Sequence, residues 1–240
     1  MQESAPIPEE EWERLYARGV IRVIDAYDPE NRQRESVIDH SASKYFPPIG
    51  DQGDKNACVA WSTGYYVTSY YNAWNHDWDL SGAEWIADDS VGFPSPAYWD
   101  KLMSPDFIYH QINKGIDEGS AYIDAYQLIV DIGVCTWDIK PYDLEDHISY
   151  PSEAAWRNAP RQRQRYVNAE TNAIYYVQCE TDEQVEIFKN LLRDGYLFTI
   201  AVNSNFYSRL SQNDLWHTRN YEVLATNHAN TIVGFDDAQY

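Results

Sequence analysis

The sequence pattern changes along the chain, from helical spacing of apolar residues in the first half to strand-like segments in the second. Apolar residues recur at helical spacing in three segments that begin near residues 58, 105 and 120. Beyond residue 170, three runs have the composition of strands: Ile174–Gln178, Tyr196–Val202 and Ala229–Phe235. Separate runs of helices and strands are typical of α+β folds. We therefore predict an α+β fold with two lobes, a helical lobe at about residues 58–145 and a β-rich lobe at about residues 160–240.

Two helix starts carry explicit capping signals. Ser104 is followed by Pro105 and Asp106, which supplies a capping hydroxyl, a proline in the first turn and an acid near the positive end of the helix. Thr181 and Gln184 fit the capping-box pattern, which opens one helix within the strand-rich half. We expect helices to begin just after Ser104 and Thr181.

Composition excludes several classes of partner. The chain has 38 acidic residues against 18 Lys and Arg, a net charge of −20, so phosphate backbones and anionic membranes should repel it. Its longest apolar runs fall short of the ~18 residues that a membrane span needs. The histidines do not pair with Cys or carboxylates at the spacing of metal ligands. We therefore expect no nucleic acid, no membrane span, no metal and no cofactor.

A cysteine stands at the predicted start of the helix near residue 58, where Asn56 or a neighbour could cap it. A helix N-terminus offers unpaired N–H groups and about half a positive charge, which stabilise a thiolate. Gln52 precedes Cys58 across a turn that contains Gly53, so its amide could fold back beside the sulfur. With the N–H of Cys58 it would form a two-donor oxyanion hole. The segment thus predicts a nucleophile, and a buried structural cysteine is the common alternative.

Residues 52–62 read QGDKNACVAWS. They resemble the active-site segment of papain-like (cathepsin-type) cysteine peptidases, bacterial-type members above all, whose pattern is Gln-Gly, four residues, then Cys-Trp-Ala-Phe-Ser. Val59 replaces the aromatic after the nucleophile, and the family's disulfide cysteine between the Gly and the nucleophile is absent. Further segments resemble the family in the same order, over about residues 40–240: SPDFIY at 104–109, 115–119, 133–142, NHA at 227–229 and VGFD at 233–236.

The resemblance implies a papain-like two-lobe fold with a cleft between the lobes, and peptide hydrolysis through a thioester on Cys58. His228 would act as general base and then as general acid, and Gln52 would stabilise the oxyanion. The partner would be a protein or peptide substrate. The resemblance also implies a set of substrate-binding residues: Gly119, Ala121, Tyr122 and Asn227.

One part of the family pattern is not found. The family has an Asn after the catalytic His, followed by Ser-Trp-Gly, and residues 229–240 do not carry this motif. Three explanations stay open: a C-terminally incomplete chain, a second chain that completes the sheet, or a domain that has lost catalysis. The alternative to a peptidase is therefore a catalytically impaired papain-fold binding or scaffold domain. The Gln52-to-Cys58 spacing argues against other Cys–His acyl-transfer enzymes.

Residues 1–40 precede the resemblance, and we expect them to form an N-terminal extension packed on one lobe or the remnant of a pro-segment. The start MQESAP lacks the basic and apolar regions of a signal peptide. It is compatible with a cytoplasmic start and with a start Met on a mature sequence whose signal was removed. Because similar bacterial proteins are often exported, we expect a secreted or periplasmic location.

Overall fold

The structure is a computed structural model that describes residues 7–29, 35–88, 91–164, 173–205 and 226–237. Within these ranges the helices are α1 Glu9–Ala17, α2 Cys58–Ala60, α3 Ser69–His76, α4 Pro105–Ile112, α5 Tyr122–Asp131, α6 Glu153–Asn158 and α7 Asp182–Arg193. A π-helical stretch, Trp61–Thr68, joins α2 to α3 with helical dihedral angles at both junctions. Every helix in the described part of the chain is too short or too polar to span a lipid bilayer.

The strands are short and form two-stranded sheets across the described residues. They are β1 Ile21–Val23, β2 Val37–Asp39, β3 Trp85–Ile86, β4 Phe93–Pro94, β5 Ile174–Tyr176, β6 Phe198–Val202, β7 His228–Ile232 and β8 Gly234–Asp236. β1 pairs with β5 in parallel, whereas β2–β8, β3–β4 and β6–β7 are antiparallel pairs. The predicted strand from Ala229 to Phe235 is thus two strands, which break at Val233 and pair with different partners.

Both predicted helix starts are confirmed. The Ser104 side chain accepts a hydrogen bond from the N–H of Phe107 at 3.1 Å, with Pro105 in the first turn of α4. The Thr181 hydroxyl accepts from the N–H of Gln184, and the Gln184 side chain accepts from the N–H of Thr181, so a complete capping box opens α7. These groups succeed as sequence signals because the bonds they make are local.

The helical half has an aromatic core built around the helix that Cys58 begins. Trp61 packs on Tyr65, Trp85 and Trp137, with ring centroids 4.7, 5.7 and 6.1 Å away. Tyr65 and Trp137 are fully buried, and large buried rings contribute strongly to core stability. This packing fixes the helix on which Cys58 lies.

A smaller cluster joins this helix to the strand-rich half. Val67 and Tyr70 pack there with Phe46 and with Leu197, which directly precedes β6. The N-terminal segment also belongs to this side, because β1 pairs with β5 and β2 pairs with β8. Residues 7–29 and 35–39 therefore contact the strand-rich half through β1 and β2, and both their assignment as an N-terminal extension and the proposed division at residue 40 stay predictions.

Candidate active site

Cys58 is the first residue of α2, and it is 9% exposed. Ala57 precedes the helix and supplies no side-chain cap. The sequence expected Asn56 or a neighbour to cap it. Instead, the Asn56 amide donates to the backbone oxygen of Asp117 at 2.8 Å, and the Asn56 N–H donates to the Asp117 carboxylate at 2.9 Å. These bonds fix the loop before Cys58 and leave the first N–H groups of the helix without a side-chain cap.

Strand β7 runs beside the helix that carries Cys58. Ser62 Oγ lies 2.9 Å from Thr231 Oγ1, and the backbone of Ala229 is close enough to hydrogen-bond with the Cys58 thiol. Cys58 and Ser62 are one helical turn apart, and Ala229 and Thr231 are two residues apart on one strand face. Both spacings cover roughly 6 Å, so the two elements match in register. The residue after His228 is thereby held against the sulfur.

A cavity of about 350 Å³ opens where the helix, β7 and the loop before α2 meet. Cys58, His228 and Gln52 all line it. The remaining lining residues are Ser41, Phe46, Ile49, Gly50, Asp51, Trp61, Ser62, Tyr66, Ala229, Asn230, Thr231 and Val233. Three residues separated by up to 176 positions in the chain, from Gln52 to His228, thus line one cavity, and their catalytic roles stay predictions.

Gln52 is held in place by bonds on both its backbone and its side chain. Its Nε2 donates to the backbone oxygen of Lys55 at 3.1 Å, and its own backbone oxygen accepts from the Tyr142 hydroxyl at 2.8 Å. A carboxamide nitrogen carries two N–H donors. One of them is used by Lys55, and the second is the donor that an oxyanion in the cavity would require.

Burial shifts the pKa values of both Cys58 and His228 away from their ordinary values. It raises the pKa of the Cys58 thiol, an effect that hydrogen bonding to the backbone of Ala229, Val59 and Cys58 itself only partly offsets. It also lowers the pKa of the His228 imidazole. Both directions favour the neutral form of each group. The helix start was expected to favour a thiolate, whereas burial shifts the pKa of Cys58 in the opposite direction.

The other two cysteines differ from Cys58 in environment. Cys135 is fully buried, and burial raises its pKa to about 12. Cys179 is free and exposed, and partial burial raises its pKa more modestly. Neither lines the cavity at Cys58. Among the described residues, no cluster of three His, Cys, Asp or Glu could hold a metal ion.

The residues predicted to bind substrate are not part of the cavity lining given above, although Tyr122 hydrogen-bonds with Ser62 and interacts electrostatically with Cys58, which both line it. Gly119 and Ala121 precede α5, with Gly119 at a positive φ of 96°. Tyr122 begins α5, and its hydroxyl lies 2.9 Å from the backbone oxygen of Ile200 and 3.3 Å from that of Asn230. Tyr122 therefore links the helical half to β6 and β7. Its role in substrate binding stays a prediction.

Asn227 precedes His228, and its side chain is engaged with the turn after β6. Its Oδ1 accepts from the N–H and the hydroxyl of Ser204 at 2.8 and 3.0 Å, and its Nδ2 donates to Asn205 at 3.0 Å. The two roles open from sequence were seating the imidazole and shaping a turn. These bonds describe the second role, and a contact with substrate stays a prediction.

Sequence reasoning missed several residues of the site. Thr231, Tyr66 and Val233 line the cavity, and Thr231 holds β7 to the helix through Ser62. A signal was present for Thr231, because a residue two positions after Ala229 must face the same side of the strand. The position of Tyr66 depends on the π-helical stretch, which a regular helical period does not describe.

Comparison with known proteins identifies the fold. No protein-family model matches the chain, and no curated protein sequence matches it significantly. Xylellain, a cysteine protease from Xylella fastidiosa, has a similar structure: TM-score 0.55, 17% identity, covering 88% of this chain and 75% of xylellain. Digestive procathepsin L 3 from Tenebrio molitor gives 0.57 and 12% identity over 98% of this chain and 69% of that protein. Bromelain from Ananas comosus, solved with the E64 inhibitor, gives 0.53 and 14% identity over 84% and 76%.

The chain has the papain-like fold. The predicted α+β class is confirmed, and so is the resemblance to papain-like cysteine peptidases at the level of fold. Within the papain-like fold of this chain, Cys58 begins a helix that packs against β7, and β7 begins with His228. The meeting point of helical and strand-rich halves is therefore the candidate active site.

Proposed function

We propose that this chain is a cysteine peptidase in which Cys58 is the nucleophile, His228 the general base and Gln52 an oxyanion donor. The observation that carries the proposal is the shared cavity, which is lined by all three residues at the start of the helix. Its papain-like fold, similar to solved cysteine proteases, supports the same chemistry. Substrates would be proteins or peptides that can enter this cavity.

The reaction would run through two acyl transfers. His228 accepts the proton of the Cys58 thiol while the sulfur bonds to the peptide carbonyl carbon. The carbonyl oxygen becomes an oxyanion that Gln52 Nε2 and the N–H of Cys58 stabilise. The C–N bond then breaks as the imidazolium gives its proton to the leaving amine. Water, deprotonated by His228, hydrolyses the thioester and restores the thiol.

The test is a trapped intermediate together with turnover. An activated ester substrate should acylate Cys58, which mass spectrometry detects as a thioester adduct on the peptide that contains it. Cys58→Ala should abolish the adduct and the hydrolysis of a peptide substrate, whereas Cys135→Ala, the matched control, should retain both. Acylation at Cys179 alone, or turnover that survives Cys58→Ala, would contradict the proposal.

A second candidate is a catalytically impaired papain-fold domain that binds a partner in its cleft or along a sheet edge. The pKa directions at Cys58 and His228 favour it, because both oppose formation of a thiolate–imidazolium pair. It predicts that Cys58 is not acylated by any ester although the chain is folded. A second chain that completes the sheet, and a secreted or periplasmic location, remain proposals that co-purification and cell fractionation would test.

A further inference from the structure

The loop that carries Gln52 contains a lysine with an unusual environment. The Lys55 side chain is 1% exposed, and the carboxylate it pairs with, on Asp106 in α4, is fully buried. Lys55 Nζ lies 2.5 Å from Asp106 Oδ1. A buried charge of this kind is costly unless it is paired and its donors are satisfied. The contacts of this ammonium therefore indicate what the loop is held against.

Each of the three N–H donors of the Lys55 ammonium has an acceptor. Besides Asp106, it donates to the backbone oxygens of Asp143 at 2.9 Å and Asp146 at 2.5 Å. The ring of Tyr142 faces it at 4.6 Å. The second oxygen of Asp106 accepts from the N–H of Asp143 at 2.9 Å. The ammonium thus ties together the Gln52 loop, helix α4 and the segment from 142 to 146.

Lys55 and Tyr142 also hold Gln52 directly through hydrogen bonds. The backbone oxygen of Lys55 accepts from Gln52 Nε2 at 3.1 Å and from the N–H of Ala57 at 2.8 Å. The Tyr142 hydroxyl donates to the backbone oxygen of Gln52 at 2.8 Å. The carbonyl that takes one N–H of the Gln52 amide therefore belongs to the residue whose side chain is fixed in the interior. The position of the Lys55 carbonyl therefore determines how the Gln52 amide is oriented and where its second N–H points.

We propose that Lys55, through its buried contacts with Asp106 and the 142–146 segment, is the positioning residue that aims the Gln52 amide into the cavity at Cys58. This inference rests on the proposed function, since the amide has a role only if an oxyanion forms. Lys55 itself does not line the cavity and touches no reacting atom. Its effect on the reaction passes through Gln52.

The decisive experiment is a double-mutant cycle on hydrolysis of a peptide substrate. Lys55→Met should lower kcat by about ten-fold or more, with a smaller change in KM, because an oxyanion donor acts in the transition state. In a Gln52→Ala background the same substitution should cost less than about three-fold, since no amide remains to be misplaced. Lys114→Met, at an exposed lysine, is the matched control. Additive effects, or a change confined to KM, would overturn the inference.

The rate of Cys58 alkylation distinguishes a misplaced Gln52 amide from general disruption of the site. Iodoacetamide is attacked by displacement at carbon, so no oxyanion forms, and the Cys58 alkylation rate should stay within about two-fold in Lys55→Met and in Gln52→Ala. A parallel loss of alkylation and turnover in Lys55→Met would mean that the helix start is disrupted, which also overturns the inference. A wild-type chain that alkylates but neither acylates nor hydrolyses would instead overturn the proposed function, and this inference with it.

Lys55→Met leaves the Asp106 charge buried without its partner, and that variant can fail to fold. Two further variants keep the inference testable. Lys55→Met with Asp106→Asn removes both charges, and Tyr142→Phe removes only the hydroxyl that holds the Gln52 backbone. Both should lower kcat in the wild-type background and have little effect after Gln52→Ala. Full turnover in folded Tyr142→Phe and in the charge-neutral pair would refute the positioning role.

Discussion

Burial acts on Cys58 and His228 in the same way, since it disfavours whichever form of a group is charged. For the thiol that form is the thiolate, and for the imidazole it is the imidazolium. In the proposed reaction, attack by Cys58 would therefore require the proton to move to His228 as the sulfur approaches the substrate. The backbone hydrogen bonds with Ala229 and Val59 lower the pKa of the Cys58 thiol and so partly offset the effect of burial.

The lowered pKa of His228 has a consequence for stability. The unfolded chain protonates this imidazole near its ordinary pKa of about 6.5, whereas the folded chain protonates it only at lower pH. Below about pH 6.5 the unfolded state then binds more protons, so the stability that His228 contributes falls as the pH is lowered. His228→Gln removes this pH-dependent contribution to stability. Relative to wild type, the variant should gain stability between pH 7 and pH 5, measured by urea unfolding at each pH.

The comparison needs a control for loss of any imidazole, and His147→Gln serves because His147 lies outside the cavity lining. Wild type and variant share every other titratable group, so the difference between the two isolates His228. A difference in unfolding free energy that does not change with pH, or that grows in favour of wild type on acidification, would contradict the burial of a neutral imidazole.

At the scale of elements, the capping box of α7 allows the stability contribution of a local sequence signal to be measured. The Thr181 hydroxyl accepts a hydrogen bond from the N–H of Gln184, and the Gln184 side chain accepts one from the N–H of Thr181. Thr181→Ala should cost about 1 kcal/mol of unfolding free energy, the usual value for loss of a capping side chain. Thr181→Ser retains a hydroxyl and should cost little. Equal losses in urea unfolding for the two variants would show that the cap contributes nothing.

How far the sequence could predict these elements follows from the range of the interactions that form them. The caps at Ser104 and Thr181 are bonds within three residues, so their pattern is visible in the chain. Pairing of β1 with β5 joins positions more than 150 residues apart, and no local pattern encodes such a partner. The break at Val233 has the same cause, because β7 and β8 follow different partner strands.

The candidate site was predictable in part for a related reason. Cys58, His228 and Gln52 lie in segments whose motifs could be recognised, and they share one cavity. Tyr122 could not be placed, because its bonds with Ile200 and Asn230 depend on how the two halves meet. Lys55 was missed, since a lysine among polar residues normally indicates an exposed loop.

At the scale of the whole molecule, the N-terminal segment is built into the strand-rich half. Ile21 in β1 is 2% exposed and pairs with Ile174, and Leu15 in α1 is equally buried. The Tyr27 hydroxyl donates to Asp194 at 2.7 Å, just after α7. Segments that bury apolar side chains and pair through their backbone contribute to the stability of the domain they join. This packing argues for a structural part of the fold over a removable pro-segment.

Substitution within β1 measures how much the segment contributes. Ile21→Ala removes a buried side chain and should lower the free energy of unfolding by about 2–5 kcal/mol, as for other large-to-small changes in cores. Arg22→Ala changes the exposed neighbour on the same strand and should stay within about 0.5 kcal/mol of wild type. Urea unfolding followed by tryptophan fluorescence gives both values. If Ile21→Ala is as mild as Arg22→Ala, the segment is loosely attached, as a pro-segment remnant would be, and the strand-rich half is stable without it.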